Sequence, residues 1–165
     1  MIQPAAEFEA LYRRHAAEVA RFAFVLSGDR GEADEITQET FVRAWASAEP
    51  IRTETIKGYL FTIARNVFRQ SRRKRARETP LDEASAALHD SRADPAELTE
   101  RSTELGAVVR RLQTLPESDR AALLMHVFDG LSYAEVARVL GLSLANVKIR
   151  IHRARLALTK AREGE

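Results

Sequence analysis

The stretch LSYAEVARVLGLSLANVKIRIHRARLAL, residues Leu131–Leu158, has the features of two helices joined by a tight turn. Ser132 and Glu135 have the spacing of a capping box, in which each side chain satisfies an otherwise unpaired backbone amide at a helix start. Gly141 can adopt the positive φ that often ends a helix, and Ser143 can cap the helix that follows. The stretch therefore predicts a helix-turn-helix.

The second of these helices is cationic outside its apolar stripe. The stripe expected to face inward consists of Leu144, Val147, Ile151, Ala154 and Leu158. The remaining surface carries Asn146, Lys148, Ile149, Arg150, His152, Arg153 and Arg155. Such a helix fits the roughly 12 Å wide major groove of DNA, where arginine and asparagine read base edges. Its charge alone would also fit a solvated surface helix that binds nothing. A helix-turn-helix also does not by itself show whether a protein is a repressor, an activator or an initiation factor.

The residues before this stretch predict further helices. Apolar residues at steps of three and four predict a first helix that ends near Ser27 and Gly28. A second helix is predicted from about Glu32 to about Ala48, with Trp45 expected in the core. A third begins near Leu60, apolar first and cationic last, and a fourth resumes the pattern from Glu104. Because no strand-like alternation occurs, the predicted fold class is all-α.

Two adjacent segments in the middle of the chain have opposite charge. Seven basic and no acidic residues lie in Arg65–Arg77, whereas Glu78–Glu104 holds eight acidic residues against two arginines. Helical periodicity also fades in the second segment, which indicates a flexible acidic linker. The sequence therefore predicts two small helical domains, residues 1–77 and 104–165, joined by a linker over 78–103.

Composition excludes several classes of protein. The 165 residues are 45% hydrophobic and include no cysteine, so the chain can fold without disulfides, and a reducing compartment such as the cytoplasm is expected. No secretion signal and no apolar run of roughly 18 residues occurs, so neither secretion nor membrane insertion is expected. The motifs of phosphate-binding loops, zinc proteases and serine hydrolases do not occur either. No enzyme activity, catalytic residue, metal or cofactor is expected.

Two blocks of the chain resemble a known family. The helix-turn-helix stretch, together with LPESDRAALLMHVFDG at Leu115–Gly130, resembles region 4 of the extracytoplasmic-function (ECF) sigma factors, a subfamily of the bacterial sigma-70 family. The segments DEITQETFVRAW at Asp34–Trp45 and GYLFTIARNVFRQSRRKR at Gly58–Arg75 resemble region 2. The blocks follow the family's order and cover nearly the whole chain. The resemblance implies an alternative sigma factor that binds core RNA polymerase and directs promoter-specific transcription initiation.

The resemblance also implies three groups of site residues. Contacts with the clamp helices of the polymerase β′ subunit fall on Asp34, Glu35, Gln38 and Glu39, and the β flap is a second polymerase contact. Contacts with the minus-ten promoter element fall on Tyr59, Thr62, Arg65, Asn66, Arg69, Arg72 and Arg73. Contacts with the minus-thirty-five element fall on His126, Asn146, Lys148, Ile149, Arg150, His152 and Arg153. Ile149 departs from the small polar residue common in the family, so its base contact is expected to be apolar, for example with a thymine methyl.

Regulation and two alternative functions remain open at the level of sequence. The family leads us to expect a monomer controlled by an anti-sigma factor, although no residue here identifies that partner. A stand-alone helix-turn-helix regulator is the main alternative, and it would bind promoter duplex without polymerase. An adaptor that binds only another protein leaves both cationic helices unexplained.

Overall fold

The computed structural model describes residues 4–47, 55–78 and 100–163, and within these ranges the secondary structure is helical, with no strand. The helices are α1 (Pro4–Ser27), α2 (Arg30–Ala46), α3 (Ile56–Glu78), α4 (Glu100–Gln113), α5 (Glu117–Leu123), α6 (Tyr133–Leu140) and α7 (Leu144–Glu163). Helix α5 continues directly into a wider π-type turn over Leu124–Phe128. The all-α class is therefore confirmed, and most of the predicted linker, residues 79–99, lies outside the described residues.

Helices α1, α2 and α3 pack around the apolar stripe predicted for α1. Val19, Phe22 and Leu26 are buried, and the Phe22 ring stacks on Phe61 of α3 with 4.5 Å between the ring centroids. Burying such side chains removes large apolar areas from water and stabilises the bundle. The stripe thus forms the centre of this half of the molecule.

A two-residue turn separates α1 from α2. Helix α1 ends at Ser27, as predicted, and Gly28 follows with a φ of +75°. The side chain of Asp29 then accepts hydrogen bonds from the backbone amides of Gly31 and Glu32 at 2.8 and 3.3 Å. This aspartate is the N-cap of α2 and satisfies two amides that have no partner within the helix.

The helix-turn-helix forms where the sequence predicts it. The Ser132 hydroxyl accepts a hydrogen bond from the amide of Glu135 at 3.1 Å and so caps α6. Gly141 ends α6 with a φ of +67°, in the left-handed region. The Ser143 hydroxyl then caps α7 by accepting from the amide of Asn146 at 3.1 Å. These three caps confirm the predicted helix limits.

The N-terminal and C-terminal helices share one hydrophobic core. It runs from Phe22 and Phe61 through Met125 to Val136 and Ile151. Polar contacts cross the same boundary, for example the ion pair of Arg65 on α3 with Glu117 on α5 and the bond from the Gln113 side chain to the carbonyl oxygen of Val25. In this structure the two halves pack against each other, and the division into domains 1–77 and 104–165 remains a prediction.

Candidate nucleic-acid and polymerase interfaces

Helix α7 presents an exposed surface opposite its buried stripe. Val147, Ile151 and Ala154 are buried as predicted, whereas Leu144 is 46% exposed, so its expected inward position is wrong. Leu144 is the first residue of α7, where the helix begins before it reaches the core. Ile149 is 62% exposed and forms the apolar centre of the outer surface, beside His152. The helix therefore offers a methyl-bearing contact flanked by polar and cationic groups.

A buried carboxylate holds the arginines along one edge of α7. Asp119, in the first turn of α5, is 1% exposed. Its Oδ2 accepts from Arg153 Nε at 2.8 Å, and its Oδ1 accepts from Arg153 Nη2 at 2.9 Å and from Arg150 Nη1 at 3.1 Å. Arg150 Nε also donates to Asn146 Oδ1 at 2.8 Å. Three of the predicted minus-thirty-five residues thus lie in one hydrogen-bonded cluster around Asp119.

The acidity of Asp119 reflects this cluster. Burial raises the pKa of its carboxyl group, but the hydrogen bonds and positive charges of Arg153 and Arg150 outweigh burial and leave the pKa lowered. Asp119 is therefore ionised near neutral pH and holds both guanidinium groups through charge-assisted hydrogen bonds.

An aromatic stack holds the opposite edge of α7. The ring of His126 lies on the ring of Tyr133 with 4.1 Å between centroids, and the Lys148 ammonium lies 5.6 Å from the Tyr133 centroid. His126 Nδ1 donates to the carbonyl oxygen of Leu131 at 2.8 Å, because that oxygen can only accept. The Nε2 atom lies on the other side of the ring and is not used in this bond.

The predicted minus-ten residues on α3 differ in what they contact. Arg65 is 7% exposed and forms a two-pronged ion pair with Glu117, from Nε and Nη2 at 2.8 and 2.9 Å. Arg72 donates to the carbonyl oxygen of Ser27 at 3.0 Å and to Glu32 at 3.2 Å. Asn66, Arg69 and Arg73 lie exposed, as does Arg72 despite its contacts, while Tyr59 and Thr62 are half-buried.

Glu32 is the second buried carboxylate that contacts a predicted DNA-binding residue, in this case Arg72. Its side chain is 2% exposed and accepts from Arg72 and Arg75. Burial raises the pKa of Glu32, and the positive charges of the two arginines lower it only in part. The ring of Phe68 lies beneath the Arg72 guanidinium, 5.0 Å from its carbon to the ring centroid. The base of the cationic segment of α3 is therefore tied to the start of α2.

Helix α2 separates a buried face from an exposed polar face. Ala33, Ile36 and Phe41 are among its buried residues. The four predicted polymerase-binding residues lie on the other side, with Asp34, Glu35 and Gln38 exposed and Glu39 half-buried beside Arg43 at 3.0 Å. One continuous polar and acidic strip results.

Trp45 lies near the end of α2 and departs from the prediction. It is 53% exposed rather than in the core, and it packs edge-on against Phe8 with 4.9 Å between centroids. The prediction that Trp45 is a core residue is therefore wrong.

Two further observations concern the whole described part of the chain. Within it, no group of histidine, aspartate and glutamate side chains has the arrangement of a metal site. None of its helices is long and apolar enough to cross a membrane.

Comparison with protein families connects these surfaces to a function. The model described as sigma-70 region 2 matches residues 11–78, and the model described as sigma-70, region 4 matches residues 105–158. Together they span most of the chain. The chain belongs to the bacterial sigma-70 family. The first match contains the acidic strip of α2 and the cationic helix α3, and the second contains the helix-turn-helix.

Individual relatives narrow the family to its ECF group. ECF RNA polymerase sigma factor SigL of Mycobacterium tuberculosis is 32% identical over 93% of this sigma factor and 88% of its own length. ECF RNA polymerase sigma factor SigE of Mycolicibacterium smegmatis is 36% identical over 92% of this chain, which spans only 60% of that relative. The sigma factor RpoE of Bartonella quintana, solved in complex with the anti-sigma factor NepR, superimposes with a TM-score of 0.77. It is 27% identical, and the match covers 95% of this chain and 97% of RpoE.

Sequence reasoning did not identify the residues that hold the predicted DNA-binding side chains. Asp119 pairs with residues 31 and 34 positions away, and Glu117 pairs with Arg65 at a separation of 52 positions. Both acidic residues lie in the first turn of α5, where a carboxylate favours the helix N-terminus whatever else it contacts. The sequence of a single helix does not show whether such a carboxylate only stabilises the helix start or also binds a distant arginine.

Proposed function

We propose that this chain is an alternative sigma factor that binds core RNA polymerase in the cytoplasm and directs initiation at a specific set of promoters. The observation that carries the proposal is the presence of both sigma-70 regions, in order, on one chain of helices. A stand-alone regulator needs a helix-turn-helix, but it does not need the strip of α2 or the cationic segment of α3.

The strip of α2 is the proposed site for the β′ clamp helices. Asp34, Glu35 and Gln38 project from the side of α2 opposite its buried face, and Glu39 extends the strip by one turn. Charged groups at the rim of a protein interface increase its specificity and association rate more than its affinity. The β flap is the second proposed polymerase contact, as the family resemblance implies.

A charge reversal on this strip tests the polymerase contact. We expect Asp34→Lys combined with Glu35→Lys to weaken binding to purified core polymerase by at least about tenfold, because like charges at an interface cost several kcal/mol. Both residues are exposed, so the melting temperature should stay within a few degrees. Fluorescence anisotropy of labelled sigma factor, titrated with core polymerase, measures the affinity. Equal affinity of the variant and the wild type would contradict the assignment.

Helix α7 is the proposed reader of the minus-thirty-five duplex. Its exposed centre at Ile149 and His152 lies between Lys148 on one edge and Arg153 on the other. Apolar contact of Ile149 with a thymine methyl and cationic contacts on either side suit a major groove. Asn146, Arg150 and His126 complete the proposed contact set from the margins of the same surface.

Helix α3 is the proposed contact for the opened minus-ten strand. Exposed Arg69 and Arg73 can reach phosphates, and exposed Asn66 can reach a base edge. Arg65 and Arg72 hold carboxylates in this structure, so phosphate contacts from them require exchange of one anionic partner for another. Tyr59 and Thr62 lie nearer the start of the helix and complete the set.

Regulation by an anti-sigma factor is proposed by similarity. The sigma factor RpoE, whose fold this chain shares, was solved with the anti-sigma factor NepR. We propose that this chain is likewise a monomer held inactive by such a partner until a signal releases it.

Transcription with purified components tests the function directly. Core polymerase alone and core polymerase with the sigma factor are given a library of short promoter fragments, and the start sites are sequenced. A sigma factor confers discrete start sites that core polymerase lacks, and exchanging Lys148 and Arg153 for glutamate abolishes them. A stand-alone regulator would bind duplex without polymerase and would produce no new start sites.

A further inference from the structure

The position of Asp119 has a consequence for how α7 reads DNA. We propose that Asp119 is a positioning residue that fixes the Arg153 guanidinium with its terminal Nη1 and Nη2 edge turned outward for guanine, and that it makes Arg150 a structural brace. The inference rests on the proposed minus-thirty-five contact of α7. Asp119 itself is 1% exposed and is not expected to contact DNA.

The hydrogen bonds of Arg153 determine which edge remains for a ligand. A guanidinium group has five N–H donors and two edges that can bind a pair of acceptors. Asp119 occupies the edge formed by Nε and Nη2, at 2.8 and 2.9 Å. The terminal edge, formed by Nη1 and the second N–H of Nη2, remains. Because the Arg153 side chain is 57% exposed, that edge is accessible from outside the protein.

The terminal edge of a fixed arginine matches guanine. Guanine presents two neighbouring acceptors, O6 and N7, to the major groove, and arginine binds both together. An arginine anchored in advance loses less side-chain freedom on binding than a mobile one. Arg153 also lies one turn after Ile149 on the exposed side of α7, so both can face the same groove.

Arg150 differs from Arg153 in the same cluster. Its Nη1 donates to Asp119 and its Nε donates to Asn146, so protein acceptors engage it on two sides. Its side chain is 25% exposed, less than half the value for Arg153. The geometry therefore assigns base reading to Arg153, while Arg150 and Asn146 keep the cluster in place.

The test compares base preferences of holoenzymes that contain wild-type or variant full-length sigma factor. Each holoenzyme selects duplexes from a pool randomised across the minus-thirty-five element, and affinities are then measured for the selected duplex and for random duplex. Asp119→Asn removes the charge at nearly constant size. Asp129→Asn is the matched control, because Asp129 is a buried aspartate of the same half that contacts Arg21 rather than α7.

We expect Asp119→Asn to lose about tenfold in affinity for the selected duplex, the size of one lost paired base contact, and little for random duplex. The lost preference should fall on the base pairs that Arg153→Ala also relaxes. In an Arg153→Ala background, Asp119→Asn should add no further loss of preference. The Asp129→Asn control should keep the wild-type preference.

Several results would overturn the inference. One such result is a base preference that Asp119→Asn leaves unchanged. Another is a loss of affinity that is equal for all duplex sequences and is accompanied by a lower melting temperature of the variant. A further loss of preference in the Arg153→Ala background would also contradict it. If wild-type holoenzyme selects no duplex at all, the proposed function fails, and this inference fails with it.

Discussion

Carboxylates already pair with four of the arginines that the sequence predicts to bind DNA, and Arg72 with Glu32 is one of these pairs. Arg65 holds Glu117, and Arg150 and Arg153 hold Asp119. The Arg65 side chain is 8% exposed, so its charge-assisted bonds to Glu117 are shielded from water, whereas the Arg72 side chain is 45% exposed and its pair with Glu32 is more readily exchanged. At the scale of single residues, we therefore expect the acidic partner to decide whether an arginine is available to a phosphate, oriented for a base, or held in the fold.

The pH dependence of stability follows from the Asp119 cluster. Its folded-state pKa is lowered, so its ionised form adds stability above the ordinary aspartate pKa of about 4, and this stability is lost as the pH falls through the folded value. We expect wild type to lose more stability than Asp119→Asn between about pH 5 and about pH 3. Urea unfolding at several pH values measures the difference. Parallel curves for both proteins would contradict the prediction.

At the scale of elements, the helix limits were predictable because their signals are local. Ser132 and Ser143 each accept from a backbone amide three residues further on, Gly141 ends α6 through its own positive φ, and each cap appears as predicted. Trp45 and Leu144 were misplaced because periodicity indicates which side of a helix is apolar, not how far the neighbouring helix covers it. Packing of one half on the other depends on contacts across dozens of positions, which no single-helix pattern contains.

Substitution of two glycines by alanine tests whether Gly141 ends helix α6. Gly141 has a φ of +67° and open space around its α-carbon, so Gly141→Ala should destabilise the protein by about 1 kcal/mol through backbone strain alone. Gly106 lies inside α4, where an added methyl group meets Arg110 at an ordinary 3.7 Å. Gly106→Ala should instead stabilise by up to about 1 kcal/mol, because alanine favours helices. Thermal unfolding measures both variants, and a Gly141→Ala variant as stable as the wild type would contradict the assignment of Gly141 as a helix-ending residue.

At the scale of the whole molecule, the contacts between the halves involve the surfaces proposed to bind nucleic acid. Arg65 of α3 lies against α5, and the Glu135 carboxylate of α6 accepts from the amide and hydroxyl of Thr55 at 3.3 and 3.1 Å, beside the start of α3. Lys57 donates to the carbonyl oxygen of Asp129 across the same boundary. The proposed binding of an opened strand along α3 would therefore compete with packing of the C-terminal half for the Arg65 side chain.

This competition predicts opposite effects on stability and binding. Glu117→Gln leaves the buried guanidinium of Arg65 without its charged partner, so we expect a loss of unfolding free energy of about 2–4 kcal/mol, since breaking a buried pair leaves one charge uncompensated. The same change removes the anion that competes with phosphate, so affinity of the full chain for a fluorescent single-stranded oligonucleotide should rise. Arg65→Ala is the matched comparison, since it breaks the same pair but also removes the cation, and should lower both quantities. If Glu117→Gln weakens strand binding as much as Arg65→Ala does, the ion pair supports strand binding rather than competing with it.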